Sequence, residues 1–593
     1  MTCVKIYRNS YQIILGTILI ITTFVSCKKT FDILPEDKLD HQQVYQNVYD
    51  ADAAVIAIYG KLLSLADRIV ILNELQGDLM DVTPNADRYL QEINLHNVSV
   101  NNPYANPRPF YELIVDCNDV LNNLNIMLAS KRINQTDYDI RYSTVGGIRS
   151  WLYLELGILF GNIPYVTSPM DNIDEVNNPN NYPRLSFDQL LDSLIQFTES
   201  LPYKDLMPSN ISLMTSINGY STSKFFIPIR CLLGDLYLWK GEYTQAATHY
   251  HIVMNYADIL YPDMNSEQWY ETYKVAWTAN LYGANWVNIF SQPYGERYSN
   301  YEIIWDLPFD QNFLPTNPFI KLFDNSVGDY LLKPSTLAIQ NWNNQTRNDH
   351  TPGDYRGVNA SWKWSAGAPI VNKFTAYFDP LQPFVTNGKW ILYRAALLHL
   401  RYAEAANRDH HQKLAYALLN VGIGTEYDPV YDTTGVGGGQ SRDVTNIQQS
   451  FGPPYDFDAR FGNYPFYRGP WHRNIGIRGR VSLPPDYIDS TKYYDMSSPD
   501  IDKPIIDEQG LTLTLENDLI DEDALEMAFE GNRWPDLLRI ALRREKEQAG
   551  SGVAFLQSHI AAKFTSAGDA ADAAMVSARL ADPKNWYLPF KWQ

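Results

Sequence analysis

The chain has 593 residues, 68 of them acidic and 48 Lys or Arg, for a formal net charge of −20, and 13% of it is aromatic. A surface this acidic repels phosphate backbones, which argues against nucleic acid as a partner and favours a soluble, extracytoplasmic domain facing neutral ligands. By length alone, about three or four domains are expected.

Lys5 and Arg8 precede an apolar run, 13–25, that is interrupted only by Gly and Thr and ends at Ser26-Cys27. A run of that length is too short to span a bilayer core and is the pattern of a cleaved export signal. A small residue directly before cysteine matches the bacterial lipobox, with Phe24 where Leu is usual. Residues 1–26 are therefore expected to be a lipoprotein signal peptide, with Cys27 as the lipidation site and 27–40 as the lipidated tether. No later stretch is apolar for long enough to cross a membrane. Of the four cysteines, Cys3 leaves with the signal, and Cys117 and Cys231 lie in helical patterns, where buried free thiols are expected. No CxxC or HExxH pair occurs, so no metal site and no cofactor are expected.

Apolar residues at three- and four-residue spacing predict helices over 48–65, 110–128, 138–160, 187–201, 225–255, 391–421 and 519–544. Between them lie long segments rich in Asn, Pro, Gly and aromatics, at 78–109, 257–390 and 425–515. Loops that long usually carry function or short elements of their own. In the 225–255 block, Leu233, Gly234, Tyr237, Ala246 and Tyr250 have the spacing of a tetratricopeptide unit. Tyr402, Ala403, Ala415 and Leu419 repeat it more weakly. Leu156, Gly157 and Phe160 match only its first half, before Gly161 to Pro164 ends the helix. The fold class is thus mainly α: a degenerate tetratricopeptide-like helical-repeat scaffold with long irregular, partly β insertions. Such arrays are usually binding scaffolds.

Several local motifs point to one family. KKTFDILPEDKL follows Cys27; Gly77-Asp78 opens an Asn- and Tyr-rich loop; Phe110-Tyr111 leads into a helix with Cys117-Asn118. FGNIP stands at 160–164 and RAALLHLRYAEA at 394–405. Most specific is IDEDALEMAFEGNRWPDLLR at 520–539, with Glu526, Glu530, Gly531, Arg533, Trp534, Asp536, Leu537 and Arg539 in family positions and Pro535 in place of an aromatic. The chain closes on Trp586-Tyr587-Leu588-Pro589. These matches resemble the SusD/RagB-like family of outer-membrane nutrient-uptake lipoproteins, and they span nearly all of the chain after Cys27.

The resemblance implies one SusD-like domain over 41–593, carrying ligand-binding insertions. It also implies a non-catalytic surface protein that binds a glycan or peptide for a SusC-like TonB-dependent outer-membrane barrel. The ligand site would be assembled from 78–109, offering Asp81, Arg88, Tyr89, Asn101 and Tyr104, and from 257–306, offering Trp269, Trp277, Trp286 and Tyr294. Sugar rings stack their C–H faces on such aromatics, while their hydroxyls need Asn, Asp and Arg partners. Each aromatic has an equally simple alternative role as core. Glu526, Glu530, Arg533, Trp534, Asp536 and Arg539 are expected to be structural, with Glu526, Glu530 and Arg533 pairing along one helical face. A carboxylate pair neutralised by arginine has lowered pKa values, which suits no general acid. The cationic-aromatic stretch 464–481 either contacts ligand or importer, or orders its own loop. Two other functions stay open: a surface glycoside hydrolase, which needs a carboxylate pair in a cleft, and a protein-only envelope adaptor.

Overall fold

A computed structural model describes residues 45–169, 182–255, 272–276, 286–291, 301–427, 451–459, 469–500 and 503–591. The scaffold begins with helices α1 (Val48–Leu62) and α2 (Ala66–Leu75), strand β1 (Met80–Val82) and helix α3 (Arg88–Asn94). Helices α4 (Arg108–Ala129), α5 (Gln135–Phe160), α6 (Phe187–Glu199), α7 (Ile229–Lys240) and α8 (Tyr243–Met254) follow. The insertion carries β2 (Ile303–Phe309), β3 (Leu332–Pro334), β4 (Trp362–Ser365), β5 (Ala368–Val371) and β6 (Gly388–Arg394). Helices α9 (Ala395–Arg408) and α10 (Gln412–Leu419) come next. The last are α11 (Glu508–Glu526), α12 (Arg533–Glu547), α13 (Ser551–Ala567) and α14 (Ala570–Leu580).

From α4 to α10 each of these helices packs on the next one named, and α9 and α10 also pack on α11. Neighbours in sequence are thus neighbours in space, as in a repeat array. Local chemistry sets the helix ends. Asn47 with Asp50, and Ser186 with Gln189, form capping boxes that start α1 and α6. Gly241, in the left-handed region at φ +85°, stops α7 so that α8 can fold back on it. The tetratricopeptide spacing has a direct packing reason: a Cβ on Gly234 would lie 2.3 Å from the Tyr250 ring. Gly157 does the same for α6, since a Cβ there would lie 2.6 Å from Phe187. The half-match at 156–160 therefore does have a partner helix, reached through a longer connection than the consensus allows.

The insertions are partly β, as expected, and among the described residues their strands pair two by two. β2 pairs antiparallel with β6, β4 with β5, and β3 with β1 of the opening segment. Two predicted helices are corrected. Residues 391–394, expected to start a helix, belong to β6, because this β-prone run finds β2 to pair with. The helix predicted over 519–544 is two helices, broken where Phe529 and Gly531 take φ of +76° and +88°. Cys117 and Cys231 are buried free thiols. No helix among the described residues is long and apolar enough to cross a membrane.

That break is what joins the opening helices to the C-terminal ones. The turn after α11 points the backbone N–H groups of Phe529, Gly531 and Asn532 at the Glu74 carboxylate, at 3.1, 2.6 and 3.0 Å. Arg533 then donates two parallel hydrogen bonds to Asp78, at 2.6 and 2.8 Å. Gly77 is needed between them, since a Cβ there would lie 2.8 Å from the Arg533 side chain. Lys563 of α13 donates to the carbonyls of Leu75 and Gly77 at 3.1 and 2.8 Å and to Asn94 at 2.9 Å. The Gly77-Asp78 motif and the EGNRW signature are thus two halves of one clamp at the root of the 78–109 loop.

A second buried cluster fastens the insertions to α11 and the turn after it. Glu526 accepts from Arg356, Arg394 and Arg480 at 3.0, 2.6 and 2.7 Å. Glu530 pairs with Lys373 and Arg394 at 2.6 and 2.8 Å. Glu522 receives Arg356 and Arg478, Glu302 receives Arg394 and Arg480, and Asp354 receives Arg356. The carboxylates Glu302, Asp354, Glu522, Glu526 and Glu530 are matched one for one by Arg356, Lys373, Arg394, Arg478 and Arg480. Burial opposes the charge on Glu526, but its three guanidinium partners hold the carboxyl well below its usual range. The expected pairing of Glu526 and Glu530 with Arg533 along one helical face is corrected. Residues 527–532 are not helical, so the spacing that would align them is lost.

Candidate ligand-binding surface

The clamp presents a short platform. Asp87 caps α3, its carboxylate accepting from the N–H groups of Tyr89 and Leu90 at 2.9 Å each. Its second oxygen accepts from the Tyr104 hydroxyl at 3.2 Å. Arg88, exposed, donates to the Tyr89 hydroxyl at 2.6 Å, with its guanidinium 4.5 Å from the Tyr89 ring centre. Asn102, buried beneath, donates to the Tyr89 carbonyl at 2.8 Å and to Glu92 at 3.1 Å, which fixes the loop under the rings. Asn101 is exposed and accepts from Lys591 at 3.0 Å.

Arg88, Tyr89, Tyr104 and Asn101 therefore share the 86–104 region, with both tyrosines half-buried. Burial, then the adjacent Asp87, pushes the Tyr104 hydroxyl up to about 12, so it stays neutral and able both to donate and to accept. Asp81 is separate from this group. It lies on β1, accepts from Asn94 at 3.1 Å and faces Lys333 at 4.0 Å. Asp87 and Asn102 also contribute, although no motif marks them. An Asp two residues before Tyr89, at a helix start, was the available signal.

From the second expected segment, Trp269, Trp277 and Tyr294 lie outside the described residues, as does Cys27. Trp286 is described and is fully buried, donating to Glu526 at 3.1 Å with Lys373 5.0 Å from its ring. It offers no ring face to a ligand, and its place in the expected site is corrected: the indole N–H found a buried carboxylate. In the 464–481 stretch, Arg478 and Arg480 belong to the buried cluster, and Trp471 is buried with its indole donating to Asn255 at 2.7 Å. The remaining signature residues are buried too. Trp534 packs 5.2 Å from His96, and Arg539 bridges Asp536 and Glu404 at 2.5 Å each. No group of acidic, His or Cys side chains able to hold a metal ion occurs among the described residues.

Two open clefts of about 610 Å³ each were not anticipated. One joins the 78–109 loop to the chain's closing turn; the other is walled by Tyr416, Tyr427, Phe451, Tyr487 and Tyr494. Each is assembled from segments far apart in sequence, so no local pattern announces either.

No protein-family model matches the chain, and no curated protein matches it. Solved structures do. A SusD superfamily protein from Bacteroides thetaiotaomicron aligns over 90% of this chain and 97% of its own, at 16% identity and a TM-score of 0.53. A SusD-like carbohydrate-binding protein from Bacteroides fragilis aligns over 85% and 88%, at 14% identity and a TM-score of 0.51. A laminarin-binding SusD-like protein aligns over 86% and 94%, at 14% identity and a TM-score of 0.51. Helical array, paired-strand insertions and closing turn together give this chain the fold of the SusD superfamily.

Proposed function

We propose that this chain is a non-catalytic glycan-binding lipoprotein of the SusD/RagB-like kind, lipidated at Cys27 and acting with a SusC-like TonB-dependent outer-membrane barrel in nutrient uptake. The observation that carries the glycan reading is the 86–104 platform. It offers two partly exposed tyrosine rings, a guanidinium, a carboxylate and an amide on a loop clamped by buried ion pairs. Aromatic faces accept the C–H side of a sugar ring, and the polar groups meet its hydroxyls. Similar structures carry the names carbohydrate-binding and laminarin-binding, which fits the same chemistry. The signature carboxylates are paired with arginine and lysine inside the core, so they are poorly placed for glycoside hydrolysis, and Glu526 is held well below the range a general acid needs.

A glycan array probed with residues 28–593 tests the reading. Binding to at least one glycan class is expected, with Arg88→Ala/Tyr89→Ala reducing the signal about tenfold or more through lost stacking and hydrogen bonding. Release of new reducing ends from a bound polysaccharide would replace this reading with the hydrolase. Lipidation is tested separately: Cys27→Ser should move the protein from the membrane fraction to the soluble one.

A further inference from the structure

The end of the chain closes against the turn that ends α5. Leu588 N–H donates to the Leu159 carbonyl at 2.8 Å, and Gly161, at φ +70°, lies beneath the Tyr587 ring, where a Cβ would come within 3.0 Å. Beside this closure is one of the two clefts, and its volume of about 610 Å³ is within the ~300–1,000 Å³ usual for ligand pockets.

Its composition is unlike that of the rest of the molecule. The chain carries a net charge of −20, yet among the described residues no Asp or Glu lines this cleft. Arg184 and Lys584 do line it, with the amides of Asn97, Asn162 and Asn585. Among the described residues neither cation has a carboxylate within ion-pair distance. Asp582, the acid nearest Lys584 in sequence, accepts from the Lys584 backbone N–H at 3.0 Å as a local cap. The Arg184 guanidinium lies 4.5 Å from the Phe590 ring centre. Stacking uses the flat face of a guanidinium and leaves its N–H edge available for a planar anion. His96, also in the wall, adds no charge: burial holds its ring neutral, with a pKa down to about 3. Cleft and platform adjoin, since Asn97 is on the platform's loop and Lys591 donates to Asn101 at 3.0 Å.

We propose that this cleft binds the anionic group of an acidic glycan, a sugar carboxylate or sulfate, through Arg184 and Lys584, with the neighbouring rings held by the Arg88–Tyr89–Tyr104 platform. The inference rests on the glycan-binding reading and narrows it to acidic saccharides. At physiological ionic strength charges are screened over about 8 Å, so the cleft's local cations, and not the distant acidic surface, decide the sign of the field a ligand meets there.

The test is calorimetric titration of the purified soluble chain with oligogalacturonate, a sulfated galactan oligosaccharide and a neutral cello-oligosaccharide of equal length. Expected is at least tenfold tighter binding of one acidic probe than of the neutral one. That advantage should shrink as NaCl is raised and vanish in Arg184→Ala/Lys584→Ala, both of them exposed positions whose loss leaves the core intact. Which acidic probe wins identifies carboxylate or sulfate. Equal affinity for acidic and neutral probes, or an acidic preference that survives the double variant, overturns the inference while glycan binding itself stands. Binding of no glycan by the array and by calorimetry removes both.

Discussion

Arg533 and Asp78 are both buried, so removing one strands the other's charge away from water. Arg533→Met should cost about 3–5 kcal/mol in chemical denaturation. Arg533→Lys should also destabilise, because a point charge cannot reproduce two parallel hydrogen bonds. A loss below about 1 kcal/mol, the value of a surface pair, would contradict the clamp. The same groups give stability a pH dependence. Burial opposes ionisation of Glu404, but Arg539 and Arg543 hold its carboxyl down to about 2, and Asp78, beside Arg533, and Glu526 shift the same way. A carboxyl with a lowered folded pKa contributes stability that is complete above its ordinary value of 4.5 and is lost as pH falls towards the folded one. Glu155 and Glu74 run the other way, pushed up to about 7 by burial, so their contribution is complete below about 4.5 and is lost as pH rises from there to about 7. The melting temperature is therefore expected to fall steeply below about 4.5, whereas the loss from Glu74 and Glu155 is confined to about pH 4.5 to 7 and adds nothing above neutrality. A flat profile from pH 3 to 8 would mean that these carboxylates are not in the ionic environments described. The signature residues were legible in the sequence as a structural set. Their partners were not, because Asp78, Lys373 and Arg394 come from distant segments and only folding selects them.

The repeat hairpin is the element with the least room. Tyr250 is fixed by its hydroxyl, which donates to Asp235 at 2.6 Å, so a methyl group at position 234 cannot push the ring aside. Gly234→Ala is expected to cost about 1–3 kcal/mol by overpacking, although alanine is the better helix former. Unchanged or raised stability would show that the two helices are not in close contact there. The clamp has a consequence for its own loop. With Arg533→Met, amide exchange over 86–104 should rise well before global unfolding, because the root of the loop is released. Helical periodicity made most of the array legible, down to the glycines where helices touch. It failed at 391–394, where an apolar run equally suits a strand and the partner strand β2 decides. It failed again at 527–532, where propensity continues but Glu74 draws three N–H groups out of helical geometry.

For the whole molecule, the end of α2, the root of the 78–109 loop and the buried cations of the 257–390 and 425–515 segments meet on α11, α12 and the turn between them. The loops proposed to bind ligand are thereby mounted on a rigid frame, as recognition would require. A lipid at Cys27 would add proximity to a membrane partner, raising the effective concentration of the domain at the barrel without any further contact. The proposed compartment and nutrient-binding role rest on local motifs, which a sequence displays directly. The platform was half legible: loop aromatics beside Arg and Asn marked it, but Trp286 shows that a loop tryptophan is just as readily core. The most direct measurement is titration of the soluble chain with a glycan identified on an array, followed by mass analysis of the recovered sugar. Expected are saturable binding, weakened about tenfold or more by Arg88→Ala/Tyr89→Ala, and a ligand recovered unaltered. Shortened sugar fragments, or saturable binding indifferent to that double variant, would contradict a non-catalytic glycan site on the 86–104 platform.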